Sequence, residues 1–298
     1  MNRVLLADIV LLALNVLWGY CFVLIKQLLV EIPPYFLLAS RFLVAAICLL
    51  PFQIPALRKI TRKEMLYYSA CGLALGLGFS LQTAGMVTTN PGKAGVITGS
   101  LVVFVPIIYF IWTRLSLTKT VLLGTLFTFI GLCFISLDGV ESFTEINRGD
   151  LFLLAGSIAY AFHVVVVEQT CLAVEDVKPM LLAMIQLFIV GIFGITLSTS
   201  SGKIPTVISP FAIYGIFFLA LLGSLLAYII QMWAQKYSPA PHVGVILSTE
   251  AVFACMFSYL ILGEVFTLFM WIGAIFVLVG ILLTQGFFYH EGHEEHEG

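Results

Sequence analysis

From Leu5 to about residue 288 the chain is a succession of apolar runs, each near twenty residues or longer, joined by short polar connections. A bilayer core about 30 Å thick takes about 20 apolar residues of helix to cross, so the sequence reads as an all-α integral membrane protein with ten transmembrane helices. The spans are expected at about 5–28, 34–53, 65–87, 93–112, 119–137, 150–170, 178–198, 209–235, 242–262 and 267–288. Between them stand the breakers Pro33-Pro34, Asn90-Pro91-Gly92, Asp138-Gly139, Ser201-Gly202 and Pro239-Ala240-Pro241. Composition agrees: 61% of the residues are hydrophobic and 10% charged, against roughly 45–50% and about 25% in soluble domains. The first run follows Arg3 but is too long for a signal peptide, with no small-x-small cleavage pattern before Lys26, so it stays as the first span.

Fixed positive charge sets the expected orientation. With the N-terminus inside, the inner segments hold nine basic residues, Arg3, Arg58, Lys59, Arg62, Lys63, Arg114, Lys119, Lys178 and Lys236, whereas the outer loops hold three, Lys93, Arg148 and Lys203. Both termini are therefore expected in the cytoplasm and the chain in the cell membrane. A net charge of −2 without a long basic run gives no reason to expect nucleic acid. The six cysteines lie in apolar runs without CxxC or zinc-ligand spacing and read as small core or lipid-facing residues. No cofactor or metal site is expected; the tail 290–298 carries three histidines but reads as solvated.

The chain repeats itself. At an offset of 149, Gln82, Gly95, Phe104, Gly124, Phe127 and Gly131 meet identical residues at Gln231, Gly244, Phe253, Gly273, Phe276 and Gly280. An offset of 142 pairs Asp8 with Asp150, Ala13 with Ala155, Val23 with Val165 and Gln27 with Gln169. Two five-helix units follow, 1–139 and 140–289, with 290–298 as a polar tail. Because five is odd, the second unit enters the membrane from the opposite face, and inverted repeats allow inward- and outward-open forms of one structure.

The segments WGYCFVLIK at 18–26, LASRFLVAA at 38–46, TNPGKAGVITGSLVVFVP at 89–106 and STEAVFACMFSYLILGE at 248–264, with Gly124 and Gly131, resemble the EamA-like branch of the drug/metabolite transporter superfamily. The resemblance spans about 5–288. It implies a ten-helix exporter or exchanger of small metabolites, with a central cavity formed largely by the third, fourth, eighth and ninth helices and parts of the first, second, sixth and seventh; with the inverted repeats, export of small metabolites or drugs by alternating access is expected. Two departures stand out: Ala251 follows the acid of the ninth helix where proline is frequent, and Arg114-Leu115 replaces a Gly-Glu pair that the second half keeps as Gly263-Glu264.

Polar groups at membrane depth are costly unless they face protein or water, which selects the candidate site residues. Glu250 stands about 12 Å into the ninth helix at 1.5 Å per residue; it is either a cavity carboxylate that exchanges a proton for a substrate amino group or one half of a helix-to-helix bond. Arg41 lies two turns into the second helix and calls for a carboxylate on protein or substrate. Gln82 and Gln231 are repeat partners, readable as cavity groups or as interhelical amide glue. Asn15, Trp18 and Tyr20 sit at levels matching Tyr160 and His163, and Trp18, Tyr160 and His163 join the expected cavity lining. Lys26 and Glu168 pair under the 142 offset as gate candidates, with snorkelling the alternative for Lys26. The glycines of GLALG at 72–76 and GVITG at 95–99 have the spacing of close helix contacts.

The expected partners are a small-molecule substrate, the lipid bilayer and a proton as coupling ion, for a monomer or homodimer. A passive facilitator or channel is the alternative. An intramembrane enzyme would concentrate carboxylates, histidines or metal ligands at one face, where this chain scatters them.

Overall fold

The computed structural model describes residues 3–137, 147–205, 207–264 and 267–294. Among these there is helix and no strand. In chain order the helices are α1 (Arg3–Leu28), α2 (Pro34–Leu57), α3 (Arg62–Met86), α4 (Pro91–Gly99), α5 (Leu101–Thr113), α6 (Lys119–Leu137), α7 (Arg148–Ala173) and α8 (Pro179–Ser201). Then come α9 (Pro210–Ala220), a π-helical turn (Leu221–Leu226), α10 (Ala227–Ala234), α11 (Ala240–Leu247), α12 (Glu250–Phe257), a second π turn (Ser258–Leu262) and α13 (Leu268–Glu294).

Seven helical stretches among the described residues are long and apolar enough to cross a membrane: Arg3–Leu28, Pro34–Leu57, Pro91–Thr113, Arg148–Ala173, Pro179–Ser201, Pro210–Ala234 and Ala240–Leu262. Lys119–Ile135 and Leu268–Thr284 are shorter apolar helices. α3 is 25 residues long but carries Ser80, Gln82, Thr83 and four glycines, which dilute its apolarity. The turn at Asp138-Gly139, the junction between 139 and 140, and the end of the tail at 295–298 lie outside the described residues.

Local chemistry sets the helix starts. Proline occupies the first turn of α2, α4, α8 and α9, where its missing N–H has no intrahelical partner to lose. Capping boxes open α3, through Thr61 and Glu64, and α7, through Asn147 and Asp150. α2 runs four residues past the expected end at 53 despite Pro51 and Pro55.

Two of the expected continuous spans are broken near their middle. α4 gives way to α5 at Ser100, and α11 to α12 at Ser248 and Thr249. At each break a hydroxyl donates back to the preceding turn: Ser100 Oγ to the Ile97 carbonyl at 2.6 Å, Ser248 Oγ to the Gly244 carbonyl and Thr249 Oγ1 to the Ile246 carbonyl, both at 2.8 Å. Such back-bonding competes with the helical ladder and bends it. Ser248 Oγ also reaches the carbonyl of Gly99 at 2.8 Å, so the two breaks touch.

Glycine sets the closest approaches. A Cβ at Gly131 would fall 2.6 Å from the Gly273 carbonyl and one at Gly280 would fall 2.7 Å from that of Gly124, so α6 and α13 meet backbone to backbone. Phe127 and Phe276 stack beside this seam at 5.7 Å. Gly72 and Gly76 seat Ile189 and Phe193 of α8, while Gly95 and Gly99 seat Ala254 and Ala251 of α12, the close contacts that their spacing predicts.

Candidate functional site

A cavity lies between these helices, with about 610 Å³ of empty space including the part open to solvent. α1 turns Trp18, Cys21, Phe22 and Ile25 to it, α2 turns Arg41, and α3 turns Phe79 and Gln82. Tyr160 and His163 of α7, Tyr228 and Gln231 of α10, and Glu250 of α12 close the ring, with Thr98, Leu101, Val164 and Leu247 filling the remainder. The seven residues selected by their polarity at depth, Trp18, Arg41, Gln82, Tyr160, His163, Gln231 and Glu250, thus stand around one space.

Aromatic rings make the wall. Phe79 contacts Phe42 at 4.6 Å, Tyr160 at 5.3 Å and Tyr228 at 6.0 Å, and Trp18 meets Tyr228 at 5.8 Å. Most of the polar lining is tied to protein. Tyr160 donates its hydroxyl to Gln82 Oε1 at 3.0 Å, and Gln82 donates onward to Thr98 at 3.4 Å. Trp18 Nε1 donates to the Gly223 carbonyl inside the first π turn at 3.1 Å. His163 Nε2 lies 2.6 Å from Gln186 Oε1, and Gln231 donates to Gln235 at 3.3 Å.

The two charges are held differently. Arg41 is 4% exposed; its guanidinium carbon sits 4.5 Å from the Phe42 ring centre and 5.2 Å from that of Phe79, and Nε donates to Ser224 Oγ at 3.2 Å. This is a buried cation laid on aromatic faces. Glu250 is 7% exposed, and among the described residues no donor or cation is in bonding distance of its carboxylate, Arg41 included. A guanidinium and a carboxyl group therefore line one cavity without pairing. Among the described residues, no three His, Cys, Asp or Glu side chains gather around a point where a metal ion would sit.

Lys26 and Glu168 are outside the cavity. Lys26 donates to the carbonyls of Met86, Val87 and Thr89 at 3.0, 3.2 and 3.0 Å, clamping the α3–α4 connection. Glu168 accepts from the Ala240 backbone N–H at the start of α11. Asn15 donates to the Ile246 carbonyl and to Thr249 at the break in the α11–α12 rod, and Tyr20 packs between Phe218 and Phe257. Neither lines the cavity.

Two side-chain contacts, one of them an ion pair, lie at opposite ends of α1 beyond what the sequence suggested. At the Lys26 end, Lys93 meets Asp150 at 2.7 Å and Thr89 donates to Asp150 at 2.9 Å. Near Arg3, His242 meets Asp8 at 3.0 Å and Ser238 donates to Asp8 at 3.2 Å. Asp8 and Lys26 are 18 residues apart on α1, or about 27 Å at 1.5 Å per residue.

A sequence profile described as the EamA-like transporter family matches residues 5–137 and again 147–285. The chain belongs to the EamA-like transporter family. It is a multi-pass membrane protein and a membrane transporter. An archaeal relative from Archaeoglobus fulgidus, named an uncharacterized transporter, is 28% identical over 284 residues, covering 94% of this chain and 86% of its own length. YyaM of Bacillus subtilis, also named an uncharacterized transporter, is 26% identical and covered at 93% of both chains. The inner membrane transporter YedA of Escherichia coli is 28% identical over 258 residues, 80% of each chain. A crystal structure superposes with a TM-score of 0.70 over 93% of this EamA-family chain and 96% of its own at 10% identity, a likeness of fold.

Proposed function

We propose that this EamA-family chain is a secondary transporter that exports small organic zwitterions bearing an aromatic or aliphatic group, by alternating access through the central cavity. The observation that carries the substrate class is the pair Arg41 and Glu250. A buried charge left without a partner is strongly destabilising, and here an arginine and a carboxylate share one cavity without meeting. An amino acid-like molecule supplies what each lacks: its carboxylate to Arg41, its ammonium group to Glu250, and its side chain to Phe79, Tyr160, Tyr228 and Trp18. In the empty protein a proton on Glu250 serves in place of the ammonium group, which makes proton exchange the natural coupling.

Alternating access follows from two inverted repeats, units 1–139 and 140–289 across ten spans. The cavity lining supports this arrangement. Trp18 with Tyr160, Cys21 with His163 and Phe22 with Val164 are 142 apart, while Phe79 with Tyr228, Gln82 with Gln231, Thr98 with Leu247 and Leu101 with Glu250 are 149 apart. Contacts exchange accordingly: Trp18 against Tyr228 corresponds to Tyr160 against Phe79. Phe127 stacks on its own partner Phe276, and Ser248 bonds its own partner Gly99, as residues on a two-fold axis must. Lys93–Asp150–Thr89 and His242–Asp8–Ser238 are also partners, at opposite ends of α1, which fits an axis in the membrane plane.

The test is counterflow in proteoliposomes with a panel of radiolabelled neutral amino acids. Saturable, trans-stimulated uptake of a zwitterion, lost when its carboxylate is esterified or its amine acetylated, is the expected result. Non-saturable flux would point to a facilitator or channel, and indifference to both blocked ends would remove the zwitterion assignment. Both termini in the cytoplasm is tested by a reporter cysteine at Arg62, which should label from the inside only.

A further inference from the structure

The two amide side chains that line the cavity, Gln82 and Gln231, differ in what each leaves for a ligand. Gln82 is engaged at both ends: Oε1 accepts from the Tyr160 hydroxyl at 3.0 Å and Nε2 donates to Thr98 at 3.4 Å. Gln231, its counterpart at the offset of 149, has neither kind of partner. Where one half has Tyr160 the other has Trp18, whose single indole N–H is spent on the Gly223 carbonyl at 3.1 Å, and where one half has Thr98 the other has Leu247, without a polar side-chain atom. Gln231 Nε2 donates instead to Gln235 Oε1 at 3.3 Å, and Gln235 is oriented in turn by donating its Nε2 to the Val164 carbonyl at 3.2 Å. That relay fixes which end of Gln231 is oxygen, because Gln235 presents an acceptor and has to be met by N–H. Gln231 Oε1 is left buried and without a hydrogen-bond partner among the described residues, on a side chain 3% exposed.

We propose that Gln231 Oε1 is a second acceptor for the ammonium group of the substrate, so that the cavity reads N–H donors and not positive charge alone. A buried acceptor without a partner is costly, and folded proteins carry few of them; one on the wall of a binding cavity is matched by a donor that the ligand brings. An amide oxygen only accepts, so the arriving group has to be an N–H or O–H. A primary ammonium group carries three N–H donors. One meets the Glu250 carboxyl group in the zwitterion reading on which this subsite rests, and the others need acceptors of their own once water is excluded. By the 149-residue correspondence Gln231 stands toward Leu247 as Gln82 does toward Thr98, and Leu247, three residues from Glu250, lines the cavity with it. Amide oxygen and carboxyl group therefore serve the same end of the ligand, while Arg41 takes the other. Methylation of the nitrogen to the quaternary stage keeps its charge and removes its donors, so betaines are the zwitterions this wall refuses.

The experiment separates the subsite from the zwitterion reading. The full chain in phosphatidylcholine proteoliposomes carries out counterflow of radiolabelled L-phenylalanine and L-leucine, each competed by its unlabelled parent and by its N,N,N-trimethyl form. In the wild type the parent should compete at least about tenfold better, the worth of a hydrogen bond to a charged donor. Gln231→Met keeps the length of the side chain and removes the acceptor: affinity for the parent should fall about tenfold, affinity for the trimethyl compound should hold, and the ratio should close. Gln231→Glu, which keeps an acceptor, should preserve the ratio, a rescue that a merely structural glutamine does not predict. Gln231→Leu takes the place of the methionine variant if that does not reach the membrane. A wild-type ratio that persists in Gln231→Met or Gln231→Leu assigns the discrimination to size and overturns the subsite. So does a ratio lost in Gln231→Glu, or a wild type that takes parent and trimethyl compound alike while still rejecting the methyl ester. If neither these two nor any other neutral amino acid drives saturable counterflow, the zwitterion reading itself fails and the subsite with it.

Discussion

The first half of the chain puts Arg41 into the cavity wall, on a bed of Phe42 and Phe79; at the matching position of the second half, counted from Pro179 as the first is from Pro34, stands Gln186, buried behind the wall and bonded to His163. The second half in turn places Glu250 where the first has Leu101. The two walls agree in several rings and amides, with Trp18 matching Tyr160, Phe79 facing Tyr228 and Gln82 matching Gln231. Shape is kept twice and charge once in each sign. A symmetric shell suffices to make two mirrored openings, but a polar ligand with two unlike ends needs a wall with two unlike sides.

The sharpest way to break that comparison is to remove the charge of the second wall, leaving Leu101 and its counterpart both uncharged. Glu250→Gln keeps the shape of the side chain and removes its charge, and zwitterion counterflow should fall roughly 10- to 100-fold, the equivalent of one charged hydrogen bond of about 1.5–3 kcal/mol. Its pH dependence should flatten. Undiminished transport would return the acid to a purely structural place. Arg41→Gln gives this position the residue found at its counterpart Gln186, and should cost a similar factor for a carboxylate-bearing substrate.

A perturbation far from both walls should spare the chemistry and weaken the frame. Gly131→Val forces methyl groups against the Gly273 carbonyl and Val277; overpacking of this kind costs about 1–3 kcal/mol. A lower melting temperature in detergent, with an unchanged apparent KM for the surviving protein, is the outcome to look for. An altered KM would mean that the seam moves with the cavity.

The smallest effect tests how closely the walls correspond. Tyr160→Phe removes the hydroxyl donated to Gln82 and makes this position match the hydroxyl-free ring of Trp18 opposite. At about 0.5–1.5 kcal/mol for a neutral bond, KM should rise about two- to tenfold with little change in maximal rate. A larger loss would show that the Tyr160 hydroxyl itself meets the substrate.

Much of this site was legible because lipid makes polarity conspicuous. Arg41, Gln82, Gln231 and Glu250 stand out in apolar runs, and the 149 and 142 offsets bring aromatics such as Trp18 and Tyr160 to one level. Phe79 and Tyr228 did not stand out, since an aromatic ring in a membrane span looks the same facing lipid or a cavity. The breaks at Ser100 and Ser248 were hidden for a related reason: a serine hydroxyl that bonds its own preceding turn leaves no trace in hydropathy. In the sequence Lys93 reads as an outer-loop charge and His242 as the start of a span. Their significance lies in what the other half of the chain brings to them, which no local pattern carries.

The π turn at Leu221–Leu226 bears on how the two halves can be counted against each other. From the N-cap Thr61 of α3 to the N-cap Ser209 of α9 the separation is 148 residues; from Gln82 to Gln231 it is 149. One extra residue has entered between cap and cavity, and a π turn is how a helix absorbs one without unravelling. Each residue of an α-helix advances about 100° around the axis. Winding the same residues as a regular α-helix, with none removed, would thus leave Gly215 seated on Leu28 and swing Tyr228 and Gln231 off the cavity by more than a quarter turn. The pairing of Phe79 with Tyr228 and of Gln82 with Gln231 is, in this sense, a matter of phase as much as of composition.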